Sequence, residues 1–289
     1  MKLNPFRNLK RKSKGEIAVH LFVSFIFMLV ALSYIYILVW AVLAGLKTHN
    51  DIVMEPFGLP KEWLWGHFVE VFETLESNGT KFVGMFFNSV WFSVVPTLLT
   101  QLISVTFAYC CVKYKFPGSG FLYTLVLIII TLPIYGNAGA TYRLHHTLGT
   151  VDNYAFGLIV GGFNVCFLYY YAFMKNLSWT YAEAAMMDGA NDFQIYYKVM
   201  LPQARSIIGA LFLTNWITQW NSYETGLVYH PQLPTLPVGI YQFNTEMIYR
   251  ARLDILFAAC VLITLPALIL FIVFNKTITT NVSVGGIKG

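Results

Sequence analysis

The residues in this chain that can do chemistry are mostly amides, hydroxyls and aromatics, with few acids and bases. Asn215, Thr218, Gln219 and Ser222 recur at i, i+3, i+4 and i+7, so a helix there carries one polar face. Trp216, Trp220 and Tyr223 form a neighbouring aromatic stripe at i, i+4 and i+7. Amides and hydroxyls beside aromatic faces suit a solute that offers both hydroxyls and apolar C–H surfaces, as a sugar does. Hydrogen bonding between helices is the competing use of such a face. Covalent catalysis has no visible equipment. The phosphate cradle G-x-x-x-x-G-K-[ST] is absent, as is H-E-x-x-H, and Cys110, Cys111, Cys166 and Cys260 sit in apolar runs without ligand spacing. His145-His146 beside Arg143 reads as a solvated or pocket-rim pair in a short external turn.

A second stretch, Thr180 to Pro202, has the chemistry of a docking element. Thr180-Tyr181-Ala182-Glu183 has capping-box spacing, and Ala184, Ala185, Met186 and Met187 propagate a helix. Gly189 ends it, because glycine alone adopts positive φ at low cost. Asn191-Asp192-Phe193-Gln194 restarts a helix with another cap pattern, and Phe193, Tyr196, Tyr197 and Met200 form an apolar stripe. Pro202 closes the unit. The expected product is two short helices at an angle, with one face available to a partner.

The elements that must position these groups are membrane spans. Of 289 residues, 57% are hydrophobic and 11% charged, against about 25% charged in soluble domains. The net charge of +5 is too dispersed to indicate nucleic acid. A basic start (1–17) precedes an apolar run near 19–46, too long for the 7–15-residue core of a signal peptide. Further runs of spanning length lie near 82–112, 120–142, 154–174, 206–225 and 255–275, which predicts six transmembrane helices. With an inside N-terminus, inside segments hold the larger share of the 19 Lys and Arg residues, as the positive-inside rule requires. This topology makes 47–81 and 226–252 external loops, 176–203 a cytoplasmic loop between spans four and five, and 276–289 a cytoplasmic tail. Tyr135, Asn137 and Asn164 lie near the outer ends of spans three and four as lesser solute-path candidates, with Pro133 indicating a broken helix. The prolines Pro231, Pro234 and Pro237 make 226–252 too proline-rich for a helix; it should fold back on the bundle. Most spans carry no ionisable residue, unlike those of ion-coupled carriers, so uphill transport needs an external energy source.

Glu183-Ala184-Ala185, Asp188-Gly189-Ala190 and Leu201-Pro202 resemble the EAA loop of ATP-binding-cassette importer permeases, specifically the carbohydrate (maltose-type) family. Gly45-Leu46-Lys47-Thr48, Pro56–Pro60, Tyr114–Gly118 and the tail Val284–Gly289 are similar to the same family in the same order. Gln203 stands where the family usually has a second proline. The resemblance implies an all-α bacterial plasma-membrane protein of six helices that is not itself an enzyme. It implies a second homologous permease subunit, two ATPase subunits that hold the ATP and Mg, and an extracellular solute-binding protein delivering a sugar. Glu183 would pair with a basic residue of the ATPase, Gly189 would make the turn, and Phe193 onward would pack against it. A permease for another solute class, or less consistently a self-sufficient channel or carrier, is the alternative.

Overall fold

The computed structural model describes residues 14–114, 116–132, 138–160, 164–250 and 252–281. Its contacts fall into two compact units: the chain up to Val71 with Tyr249–Leu262, and Phe72–Ile248 with Ile263 onward. Among the described residues three helices are long and apolar enough to cross a membrane: Gly15–Gly45, Phe82–Tyr114 and Leu253–Asn275.

In the first unit, α1 (Lys14–Gly45) is apolar on every side and exposed from Val19 to Val39, as a helix solvated by lipid is. Its end is packed. A Cβ on Gly45 would lie 3.0 Å from the backbone nitrogen of Ala258, so glycine permits close approach to the start of α14 (Leu253–Asn281). Buried Lys47 donates to the carbonyls of Glu55 and Pro56, at 2.8 and 3.3 Å, just past α2 (His49–Met54). His67 of α3 (Gly66–Thr74) lies 3.1 Å from the Gly45 carbonyl and 3.4 Å from the Asp254 carboxylate. Arg252 bridges Glu70 and Asp254. Its guanidinium is therefore engaged within this unit.

The second unit opens on a hairpin that the all-α expectation omits: β1 (Glu76–Ser77) pairs antiparallel with β2 (Thr80–Lys81). Asn78 and Gly79 both take positive φ, as a two-residue Asn-Gly turn requires. Next comes α4 (Phe82–Tyr109), continued by a π-helical turn to Tyr114. Ser89, Ser93, Thr97 and Gln101 lie buried along α4 at four-residue spacing, on the helix that packs against α7 (Val165–Asn176) and α11 (Arg205–Trp220). Gln101 carries the most bonding in this row: its amide oxygen accepts from the hydroxyl of Tyr170 on α7.

Three of the expected spans are interrupted. The run 120–142 gives α5 (Ser119–Thr131) and α6 (Ala138–Thr147). The run 154–174 gives a 3₁₀ turn (Tyr154–Leu158) and then α7, started by Asn164, whose side chain accepts from the amides of Cys166 and Phe167. The run 206–225 breaks after α11 and resumes as α12 (Tyr223–Tyr229). Pro133, which lies outside the described residues, is the sequence signal for a break in 120–142; hydropathy misses the other two, because a single capping asparagine hardly changes a window average.

The segment around Pro231–Pro237 corrects the proline argument. α13 (Leu236–Arg250) is a helix that begins with Leu236-Pro237. Proline in a first turn costs nothing, since that amide has no helical partner. The stretch before it folds onto α4: Asn88 donates to the Pro234 carbonyl, and the Leu236 amide to the Ser89 hydroxyl.

Candidate functional site

Two features of the second unit concentrate the candidate residues. The first is the paired short helices α8 (Thr180–Met187) and α9 (Asp192–Gln194), the latter running through a π-helical turn (Ile195–Met200) into α10 (Leu201–Gln203). The expected Thr180 cap is not made. Trp179 occupies the cap position in helical conformation, and the Ser178 hydroxyl accepts the Thr180 amide instead. The other end follows the sequence closely. Gly189 has φ +81°, its amide bonds Met186 and that of Ala190 bonds Ala185, the paired closure of a Schellman motif. Asn191 and Gln194 form a reciprocal capping box.

The apolar stripe of the second helix divides. Ile195 and Met200 are buried among Tyr109, Phe167 and Met174, whereas Phe193 and Tyr197 are exposed with parallel rings 6.3 Å apart. A π-turn bonds i to i+5 and so rotates Met200 off the row that a 3.6-residue helix would give. Glu183, Ala184, Asp188, Gly189 and Pro202 are exposed, and Ala185, Ala190 and Leu201 half-buried. The loop is anchored from beneath. Lys113 donates to the Leu177 carbonyl at 2.6 Å, and the Tyr196 hydroxyl meets that of Thr106 at 2.8 Å. The result is an anchored element whose outer surface presents Tyr181, Met187, Phe193 and Tyr197 beside Glu183 and Asp188.

The second feature is a cavity of about 560 Å³, within the range of roughly 300–1,000 Å³ usual for small-molecule sites. From α11 it receives Asn215, Gln219 and Trp220, and beyond the helix end Ser222. Asn164 reaches it from the start of α7. Thr218 does not; its hydroxyl bonds back to the Thr214 carbonyl at 3.1 Å on an exposed face. Trp216 is buried against Trp220, ring centroids 4.9 Å apart, as core packing. Tyr223 stacks on Tyr241 away from the lining. Tyr135 and Asn137 lie outside the described residues.

The opposite wall comes from residues that sequence reasoning did not assemble. Phe92 of α4 stacks on His230 with centroids 3.9 Å apart, and Phe156 stacks on Tyr229 at 5.0 Å. His145 is buried in the last turn of α6, not in an external turn, while His146 is exposed. The Thr150 hydroxyl donates to the His145 carbonyl, so it accepts from His145 Nδ1–H. His230 Nδ1 likewise donates to the Leu233 carbonyl, and burial holds this imidazole below its ordinary pKa. The signals that pointed to this wall were the pocket-rim reading of His145 and the four-residue polar row on α4, which starts at Ser89 in the lining.

No protein-family model matches the chain. The arabinooligosaccharides transport system permease protein AraQ of Bacillus subtilis is 27% identical over 98% of this chain and 99% of its own length. AraQ of Halalkalibacterium halodurans is 29% identical over 97% of this chain and 100% of its own. The diacetylchitobiose uptake system permease protein NgcG of Streptomyces coelicolor is 27% identical over 86% of this chain and 82% of its own. Among solved structures, a bacterial ABC transporter involved in the import of the acidic polysaccharide alginate contains a chain that overlays with TM-score 0.74. That match has 19% identity and covers 92% of this chain and 98% of that one, a likeness of fold.

Proposed function

We propose, from the premise that this chain belongs to the permease subunits of ABC importers, that it carries a carbohydrate, an oligosaccharide or glycan fragment, across a bacterial plasma membrane. The observation that carries this reading is end-to-end similarity to permeases named for oligosaccharide transport. In this reading the chain pairs with a second homologous permease and two ATPase subunits, and receives sugar from an extracellular binding protein. ATP and Mg reside on the ATPase subunits.

The 176–203 segment is then the receiver of force. Its exposed aromatics supply an apolar contact, Glu183 supplies a charge for a basic partner, and the Schellman closure at Gly189 keeps the two helices at a fixed angle. A rigid loop is what force transmission needs, because a soft one would absorb the displacement. Closure of the ATPase pair would move this loop and, through its buried Ile195 and Met200, the ends of α4 and α7. The interrupted helices complete six membrane crossings with both termini in the cytoplasm, and the cavity beside α11 lies on the solute route.

The test is Gly189→Asp in the complex purified from its native membrane. A residue with a Cβ at φ +81° costs about 1–2 kcal/mol and adds charge to the contact. The expected outcome is loss of the ATPase subunits from the complex, or at least a roughly tenfold fall in transport (~1.4 kcal/mol of coupling). A variant that retains both its ATPase subunits and normal transport overturns the docking role. Transport by this chain without any ATPase subunit overturns the importer reading itself.

A further inference from the structure

Among the described residues, the cavity beside α11 is lined without a single Asp, Glu, Lys or Arg. The stretches 133–137 and 161–163, adjacent in sequence to lining elements, contain none either. Arg143 shares α6 with His145 but is not part of the lining. The nearby carboxylate of Asp152 accepts the Gln232 amide at 2.7 Å. The two wall imidazoles each spend Nδ1–H inside the protein, on Thr150 and on the Leu233 carbonyl. An anionic solute would find no cation here, and a buried unpaired charge is strongly disfavoured.

What the cavity offers is neutral hydrogen bonding that the protein has not used. The side-chain amides of Asn215 and Gln219 have no protein partner among the described residues. The Thr235 hydroxyl is buried at 6% exposure, also without one. An unmet buried hydroxyl such as that of Thr235 is costly until a ligand satisfies it, whereas Asn215 is half-buried and Gln219 exposed. Apolar ring faces from Phe92, Phe156 and Trp220 complete the lining.

We propose that this cavity is a binding site, within this chain itself, for an uncharged saccharide, with Asn215 and Gln219 bonding its hydroxyls and the aromatic wall covering its C–H faces. The site therefore discriminates against uronates and other acidic glycans. This rests on the importer reading above, from which it takes the solute class; the charge selection comes from the cavity.

The test is titration calorimetry on the full chain, purified in lipid nanodiscs with its accompanying subunits and without a solute-binding protein. The probes are a panel of neutral trisaccharides (arabinotriose, galactotriose, maltotriose) and trigalacturonate. At least one neutral probe should bind and trigalacturonate should not. Asn215→Ala and Gln219→Ala should each weaken neutral binding about tenfold. Thr218→Ala, on the outward face of the same helix, should leave it unchanged, and Gln219→Lys should admit trigalacturonate. The proposal is overturned if no neutral probe binds the intact complex, if trigalacturonate binds the wild type as tightly, or if both alanine variants bind normally. Absence of ATPase subunits from the preparation counts against the importer reading alone, since binding to the chain is still scored.

Discussion

Two helices of similar length and apolarity, α1 and α4, are used in opposite ways. None of the central residues of α1 is buried within the chain, and its contacts gather at its end, where Trp40 donates to the Pro56 carbonyl and packs edge-on to Phe257 and Gly45 meets Ala258. α4 buries close to half of its apolar window and, along with it, Asn88, Ser89, Ser93, Thr97, Gln101 and Ser104. The comparison shows that hydropathy reports what can enter a membrane, while the placement of small and polar residues reports what faces protein. Ser and Thr let helices approach closely, and a buried amide fixes which neighbour is approached.

The sharpest way to break that comparison is at Gln101. Gln101→Leu removes the acceptor of the buried Tyr170 hydroxyl and should cost about 1–3 kcal/mol, read as a lower thermal midpoint in detergent. An unchanged midpoint would mean that the α4 row is not structural. A comparable or smaller loss is expected for Gly45→Val, which drives a branched side chain against the Ala258 backbone; overpacking of this kind costs about 1–3 kcal/mol. At the other extreme, Phe25→Ala in the exposed middle of α1 should change the stability of the isolated chain by no more than about 0.5 kcal/mol. A large loss there would show that the middle of α1 is packed in the folded chain, and the contrast with α4 would fail.

The same contrast explains how far the sequence could be read. The Thr180–Pro202 loop was legible where its geometry is local: Gly189 must turn, and the Asn191–Gln194 box closes over three residues. It was misread where a neighbour intervened. Ser178 took the cap expected of Thr180, and the π-turn divided Phe193 and Tyr197 from Met200. Of the candidate solute path, the spacing of Asn215, Gln219 and Ser222 put them on one face, and the cavity receives all three. Thr218 satisfied the same spacing, yet it bonds back along its own helix. The Asn78-Gly79 hairpin was missed, although its two turn residues carry the signal.

By itself, then, the sequence determined a membrane class, an uncharged set of spans, and a capped two-helix loop, because composition and short-range periodicity act through solvation and nearest-neighbour hydrogen bonds. Tertiary structure alone decided where the runs 154–174 and 206–225 break and which polar residues of α4 are buried. It also decided that Phe92, His145, Phe156 and His230 line one cavity with residues of α11. Those four come from separate elements spread along the chain, and no local rule couples residues so far apart. Only packing brings them together.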